Sequence, residues 1–190
     1  MIDFLKEIDA SILLFINGLN ASFLDEIMWI LTNKFTWFPL YLFLFILVYL
    51  NSTKKVFLLF VIIGFATVGL ADFTASQGLK KNVQRYRPSH HLELKEQLNF
   101  YQKKDGEVYR GGQYGFVSGH AANSFAIAIF FSLFLKRRFK HIFYYLIPWA
   151  VLVCYTRLYL GVHYPSDIIG GALLGTVLAV LGFGVFRRVS

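Results

Sequence analysis

A single cysteine, Cys154, serves the whole chain. That excludes an internal disulfide framework, and its apolar neighbours make it a small core side chain. Charge is scarce as well: 16% of the 190 residues are Asp, Glu, Lys or Arg, where a soluble domain carries about a quarter. The opening MIDFLKEIDAS has no basic n-region and no small-residue cleavage site behind an apolar core, so no removable signal peptide is expected. Internal repeats, low-complexity tracts and interdomain linkers are also missing. What remains is grease. Hydrophobic residues make up 56% of the chain and aromatics 18%, with a mean hydropathy of +0.54. The composition predicts one all-α integral membrane domain over residues 1–190. A net charge of +8 would suggest nucleic acid in a soluble protein. In an apolar one it marks cytoplasmic loops or an anionic substrate, so membrane lipids and no nucleic acid are expected as partners.

A helix crossing the hydrocarbon layer needs about 20 mostly apolar residues. Residues 56–79, 117–135, 141–159 and 166–186 satisfy this, and the shorter, dense run at 35–50 makes a fifth span. The bundle is therefore expected over residues 35–187. The first 34 residues differ: Phe4, Leu5, Ile8, Ile12, Phe15 and Leu19 recur at helical spacing with acids and Lys6 opposite, and Asp25 and Glu26 interrupt the next run. Two amphipathic helices lying at the membrane interface are predicted there, with a sixth crossing as the alternative. Lys54 and Lys55, then Lys136, Arg137, Arg138 and Lys140, then Arg187 and Arg188 occupy short loops without acids. Five spans put these segments on one side, the cytoplasmic one, and turn residues 80–116 and 157–165 outward. Within the outer loop at 89–116, LELKEQLNFYQ suggests a short interfacial helix acting as a lid or selector.

Three outer stretches carry unexplained polar residues. LKKNVQRYRPS places Lys80 and Arg87 seven apart, on nearly one face of a continuing helix, with Pro88 favouring a stop. YGFVSGHAANSF puts Ser118, Gly119 and His120 where a loop becomes a span, and the free N–H groups of a helix start attract anions. RLYLGVHYPSD brings Arg157, His163 and Asp167 to the ends of the last two spans, with Pro165 suited to begin the final helix. A helical turn over 163–167 lets the Asp167 carboxylate hold one imidazole nitrogen protonated and leave the other free.

Singly these are weak signals: a basic collar, a helix cap, an interfacial ion pair. Together, K-x6-R-P, S-G-H and R-x5-H-x3-D resemble the three-part pattern of the type 2 phosphatidic acid phosphatase superfamily over residues 35–187. Val117 stands where the pattern usually has proline, and Thr156 where it usually has serine. The resemblance implies a lipid phosphatase of the bacterial inner membrane, with its site facing the periplasm and no cofactor or metal. It implies His163 as nucleophile, Asp167 as its orienting acid, and His120 as the group that protonates the leaving oxygen and then activates water. Lys80, Arg87, Arg157, Ser118 and Gly119 would bind the phosphoryl oxygens. The candidate substrates are undecaprenyl diphosphate, phosphatidylglycerol phosphate, phosphatidic acid and the phosphates of lipid A. Ser118 is the rival nucleophile. A lipid phosphotransferase and a non-enzymatic binder of anionic lipids are the rival functions. Asp72, two turns before Lys80, is a further candidate for holding that lysine in place.

Overall fold

The computed structural model of the chain describes residues 2–190, with side chains from Phe4 onward. Helices form where the apolar runs predicted them: α1 (Ile2–Asn17), α2 (Ser22–Thr32), α3 (Phe38–Leu50), α4 (Lys54–Phe73), the short α5 (Lys80–Val83), α6 (Gly119–Leu135), α7 (Ile142–Tyr159) and α8 (Pro165–Val189). Their starts are chemically marked. The Thr53 hydroxyl caps α4 by accepting from the Val56 N–H at 3.3 Å, and Pro165 opens α8, where a missing N–H costs nothing.

The protein is an all-α membrane protein. Lys54–Val83, Ile142–Tyr159 and Pro165–Val189 are each long and apolar enough to cross a bilayer alone. Lys34–Leu50 and Gly119–Leu135 are shorter apolar helices of the same bundle. The α1–α2 pair, bent by 115°, has the makings of a span only when taken together.

The amphipathic pattern of α1 is inverted relative to a surface helix of a soluble protein. Asp9, Leu13 and Asn17, one turn apart, are buried, while Phe4, Ile8, Ile12 and Phe15 point outward. The polar stripe therefore packs onto the protein and the apolar stripe is free for lipid. Asn17 donates to the carbonyls of Tyr159 (2.7 Å) and Asn99 (2.8 Å). On α2, Asp25 accepts from the Tyr159 hydroxyl at 2.7 Å and Glu26 from the Tyr101 hydroxyl at 3.0 Å. Acids that look solvent-directed in the sequence thus tie the N-terminal pair to α7 and the outer loop.

Around α6, the central helix, α4, α7 and α8 are packed. Its lower half meets an aromatic cluster in which Phe60 has ring centres of Phe130, Phe131 and Phe134 within 5.0 Å. Its upper half meets bare backbone. A Cβ added at Gly175 of α8 would fall 2.1 Å from the Ala122 carbonyl oxygen, and one at Gly171 would fall 2.4 Å from that of Ser118. In a bilayer, where apolar side chains gain little from leaving lipid, such close small-residue contact is what holds helices together. Gly175→Val is therefore expected to cost about 3 kcal/mol or more through forced separation of α6 and α8. Gly184→Ala, with no atom within 4 Å of the new carbon, should leave unfolding in detergent unchanged.

At one end of the bundle a cavity of about 1100 Å³ is lined by Asn51, Thr53, Lys136, Arg137, Arg138 and Arg187. The three basic segments therefore do share an end. The other end carries residues 84–118. LELKEQLNFYQ folds there as successive turns and not as the expected helix. Its apolar residues explain why: Leu98 and Tyr101 are buried against the N-terminal helices and α7, a pull that outweighs a partial helical period.

Candidate active site

Lys80 follows a π-helical stretch, Thr74–Leu79, that interrupts the rod begun by α4. Such wide turns re-aim the residues after them and cluster at functional sites. The helix ends at Val83, because Gln84 adopts a left-handed conformation (φ 50°). Lys80 and Arg87 consequently do not share a helical face as expected; the stop comes before Pro88 is reached. Beyond it the chain is extended and pairs with the segment leading to α6, through Gly115 N–H to Arg85 carbonyl (2.8 Å) and Arg87 N–H to Gln113 carbonyl (3.0 Å). The Arg87 side chain turns inward, donating from Nε to the Tyr114 carbonyl (3.1 Å) and from Nη1 to that of Val162 (3.2 Å). Gly111, at φ 67°, makes room: a Cβ there would lie 2.8 Å from Nη1. Burial and the nearby Arg157 cation push Arg87 down to about 10, so it stays charged at neutral pH.

Ser118 is fully buried at the N-cap of α6, its hydroxyl facing the Ala121 N–H at 3.5 Å and its own N–H donating to the Asp167 carbonyl at 2.9 Å. Val117, standing where the family pattern usually has proline, packs closely on α8: its methyl would lie 2.8 Å from a Cβ at Gly170. Gly119 brings the helix start against the first stretch, since a Cβ there would sit 3.7 Å from Lys80 Nζ and 3.8 Å from Asp72 Oδ1. Asp72 accepts from Asn123 Nδ2 at 2.9 Å. The His120 ring meets the backbone of Thr32 at the end of α2.

The third stretch supplies the deepest groups. Arg157 is 1% exposed, its Nη1 donating to the Thr32 hydroxyl at 2.5 Å and Nη2 to the Tyr109 hydroxyl at 2.8 Å. Its Nε is buried with no hydrogen-bond partner among the described residues. A buried charge with an unmet donor is costly unless something anionic arrives to use it. His163, also 1% exposed, places Nδ1 3.2 Å from Asp167 Oδ2. The same carboxylate oxygen accepts the Tyr164 N–H at 3.0 Å, and Oδ1 accepts from Arg85 at 3.1 Å. Burial, then the Arg87, Arg157 and Lys80 cations and His120, hold the His163 imidazole well below the usual histidine range. It is therefore neutral at physiological pH, with Nδ1–H directed at the acid and Nε2 unprotonated.

The eight residues expected to act on or bind phosphate thus gather at one end of the bundle: Lys80, Arg87, Ser118, Gly119, His120, Arg157, His163 and Asp167. Thr32, Tyr109, Ser166, Asp9 and Arg85 join them without having been foreseen. For Arg85 a signal existed, one of four cations within LKKNVQRYRP on the side where cations should be sparse. For Asp9 none did, since its partners lie 76 and 157 residues away.

The sequence profile of the PAP2 superfamily matches residues 56–189. Lipid A 4'-phosphatase of Bacteroides thetaiotaomicron is 40% identical over 184 residues, which cover 97% of this chain and 76% of that protein. The enzyme of the same name from Porphyromonas gingivalis is 34% identical over 97% of this chain and 75% of its own length. Among solved structures, a PAP2-type phosphatidylglycerolphosphate phosphatase from Bacillus subtilis superposes with a TM-score of 0.70 at 21% identity, covering 98% of this chain and 88% of its own. Aquifex aeolicus LpxE gives 0.63 at 26% identity, covering 92% and 93%. A buried imidazole backed by an acid and ringed by cations is an arrangement suited to handling a phosphoryl group. The chain belongs to the PAP2 superfamily, as a multi-pass membrane lipid phosphatase.

Proposed function

We propose that the protein removes phosphate from a membrane lipid through a phosphohistidine on His163, with the 4'-phosphate of lipid A as the favoured substrate. The observation that carries the mechanism is the buried His163, its Nδ1 3.2 Å from Asp167 and its ring within the field of Lys80, Arg87 and Arg157. The cations and the start of α6 neutralise the charge on the phosphoryl oxygens as the bond to phosphorus loosens. Nε2 of His163 attacks phosphorus and the ester P–O bond breaks. His120 gives its proton to the departing oxygen. His120 then takes a proton from water, whose oxygen attacks phosphorus; the P–N bond breaks, freeing inorganic phosphate and His163. No step calls on a metal ion. The lipid A preference is supported by the relatives' names at 40% and 34% identity over nearly the whole chain. The cavity with its collar of basic residues lies at the far end of the bundle, which supports an inner-membrane enzyme with this site on the periplasmic side.

Purified protein should release inorganic phosphate from lipid A in the presence of chelator, faster than from phosphatidic acid, phosphatidylglycerol phosphate or undecaprenyl diphosphate. Equal rates across that panel would remove the substrate assignment. A newly phosphorylated lipid in place of free phosphate would mark a phosphotransferase, and loss of activity with chelator would end the metal-free scheme.

The depressed His163 also sets a pH dependence. Unfolded, its imidazole takes up a proton below about pH 6.5; folded, it does not until the pH is much lower. At this residue the unfolded state therefore binds more protons across this window, and its contribution to stability falls as pH is lowered from 7 to 5. His163→Gln should flatten the fall in unfolding midpoint, measured in detergent, relative to wild type. An identical slope in the two proteins would contradict the neutral assignment.

A further inference from the structure

Arg85 lies outside the three motif stretches' charged positions, yet both terminal nitrogens of its guanidinium are held. Nη1 donates to Asp167 Oδ1 at 3.1 Å and to the Ser166 hydroxyl at 2.5 Å. Nη2 donates to Asp9 Oδ2 at 2.6 Å, and the guanidinium carbon lies 4.0 Å from the centre of the Tyr164 ring. Asp9 is engaged on both oxygens. Oδ1 accepts the Ser166 N–H at 2.8 Å, and Oδ2 accepts the Ser166 hydroxyl as well as Arg85. Asp9 is buried and belongs to α1, outside the residues that match the superfamily.

We propose that Asp9 and Arg85 are a positioning pair for the His163–Asp167 dyad, through which the N-terminal helix fixes the orientation of the attacking imidazole. The inference rests on the role proposed for His163. Asp167 must present Oδ2 to His163 Nδ1, and a carboxylate is free to rotate unless its second oxygen is also held. Arg85 holds it. Arg85 itself reaches from an extended segment and is partly exposed (28%), so its placement depends on the anion behind it. Asp9 is that anion. It also accepts an N–H from the first turn of α8, where a negative charge complements the helix dipole, and that turn carries Asp167. Remove Arg85, and two carboxylates face one another around Ser166 without their shared cation. One then protonates, and a protonated Asp167 no longer fixes the imidazole tautomer. Remove the Asp9 charge, and Arg85 loses its tether while the first turn of α8 loses its cap.

Neither residue reaches the phosphoryl-binding groups, so the pair should act on turnover and not on substrate affinity. The test uses full-length protein in detergent with a lipid phosphate that wild type hydrolyses, comparing Asp9→Asn, Arg85→Gln and the double variant. Each single variant is expected to lose about 10- to 100-fold in kcat, with KM within about threefold of wild type. The double variant is expected to be no slower than the worse single, because both remove one linkage. Calorimetric binding of inorganic phosphate, held by Lys80, Arg87 and Arg157, should match wild type in all three. Unchanged kcat, a change confined to KM, multiplicative losses in the double variant, or loss of phosphate binding along with activity would each overturn the assignment. A wild-type protein that turns over no lipid phosphate would overturn the phosphatase mechanism itself, a distinguishable result.

Discussion

Replacing His163 with alanine should lower phosphate release by about 10⁴- to 10⁶-fold, the loss seen when a covalent nucleophile is removed and only binding and charge stabilisation remain. The reason is local. Nε2 is the only nitrogen of the dyad free to attack, since Nδ1 is committed to Asp167 at 3.2 Å. The cations are anchored by contacts of their own: Arg87 to the Tyr114 and Val162 carbonyls, Arg157 to Thr32 and Tyr109. None of these involves the imidazole, so the variant should bind inorganic phosphate or intact lipid phosphate within several-fold of wild type. Calorimetry alongside turnover separates the two. Retained turnover would favour Ser118 as the nucleophile or a non-covalent route. Ser118 is the weaker candidate, because its hydroxyl oxygen is engaged as the cap of α6, facing the Ala121 N–H at 3.5 Å.

Asp167→Asn should cost about 10³- to 10⁴-fold in kcat with little change in binding, through the tautomer it would impose. The carboxylate accepts three donors at once: His163 Nδ1, the Tyr164 N–H and Arg85 Nη1. An amide has one accepting oxygen. If it serves Arg85, the NH₂ faces Nδ1 and shifts the imidazole proton to Nε2, which blocks attack. If it serves His163, the NH₂ confronts the Arg85 cation. Either arrangement loses one of the three contacts, and the first abolishes the nucleophile. The comparison to make is kcat against KM for Asp167→Asn and Asp167→Ala: similar losses in kcat at near-constant KM fit this account, whereas a loss carried by KM would make Asp167 a substrate-binding group.

Much of this site was legible because its determinants are short-range. Lys80 and Arg87, Ser118 to His120, and Arg157 to Asp167 each lie within one local segment, and the runs of apolar residues fixed which segments share an end of the bundle. The geometry inside each segment was less readable. Gln84 ends the helix in a left-handed turn before Pro88, and a π-helical stretch precedes Lys80; neither has a signature strong enough to outweigh helical periodicity. The outer loop was misread for a different reason. Leu98 and Tyr101 are drawn onto the N-terminal helices, a contact no window of local sequence contains. The same holds for the buried stripe of α1. Polar residues opposite an apolar face usually mean water, but in lipid the polar face turns to the protein, and so Asp9 and Asn17 are buried while Asp25 and Glu26 accept from the Tyr159 and Tyr101 hydroxyls.

The central claim is the covalent step, and rapid quenching of purified enzyme with a lipid substrate labelled at phosphorus tests it most directly. The label should appear on the peptide containing His163, stable to alkali and lost in acid as expected of a P–N bond, and should be missing from His163→Ala. Label on Ser118, or none under conditions where phosphate is being released, would contradict it.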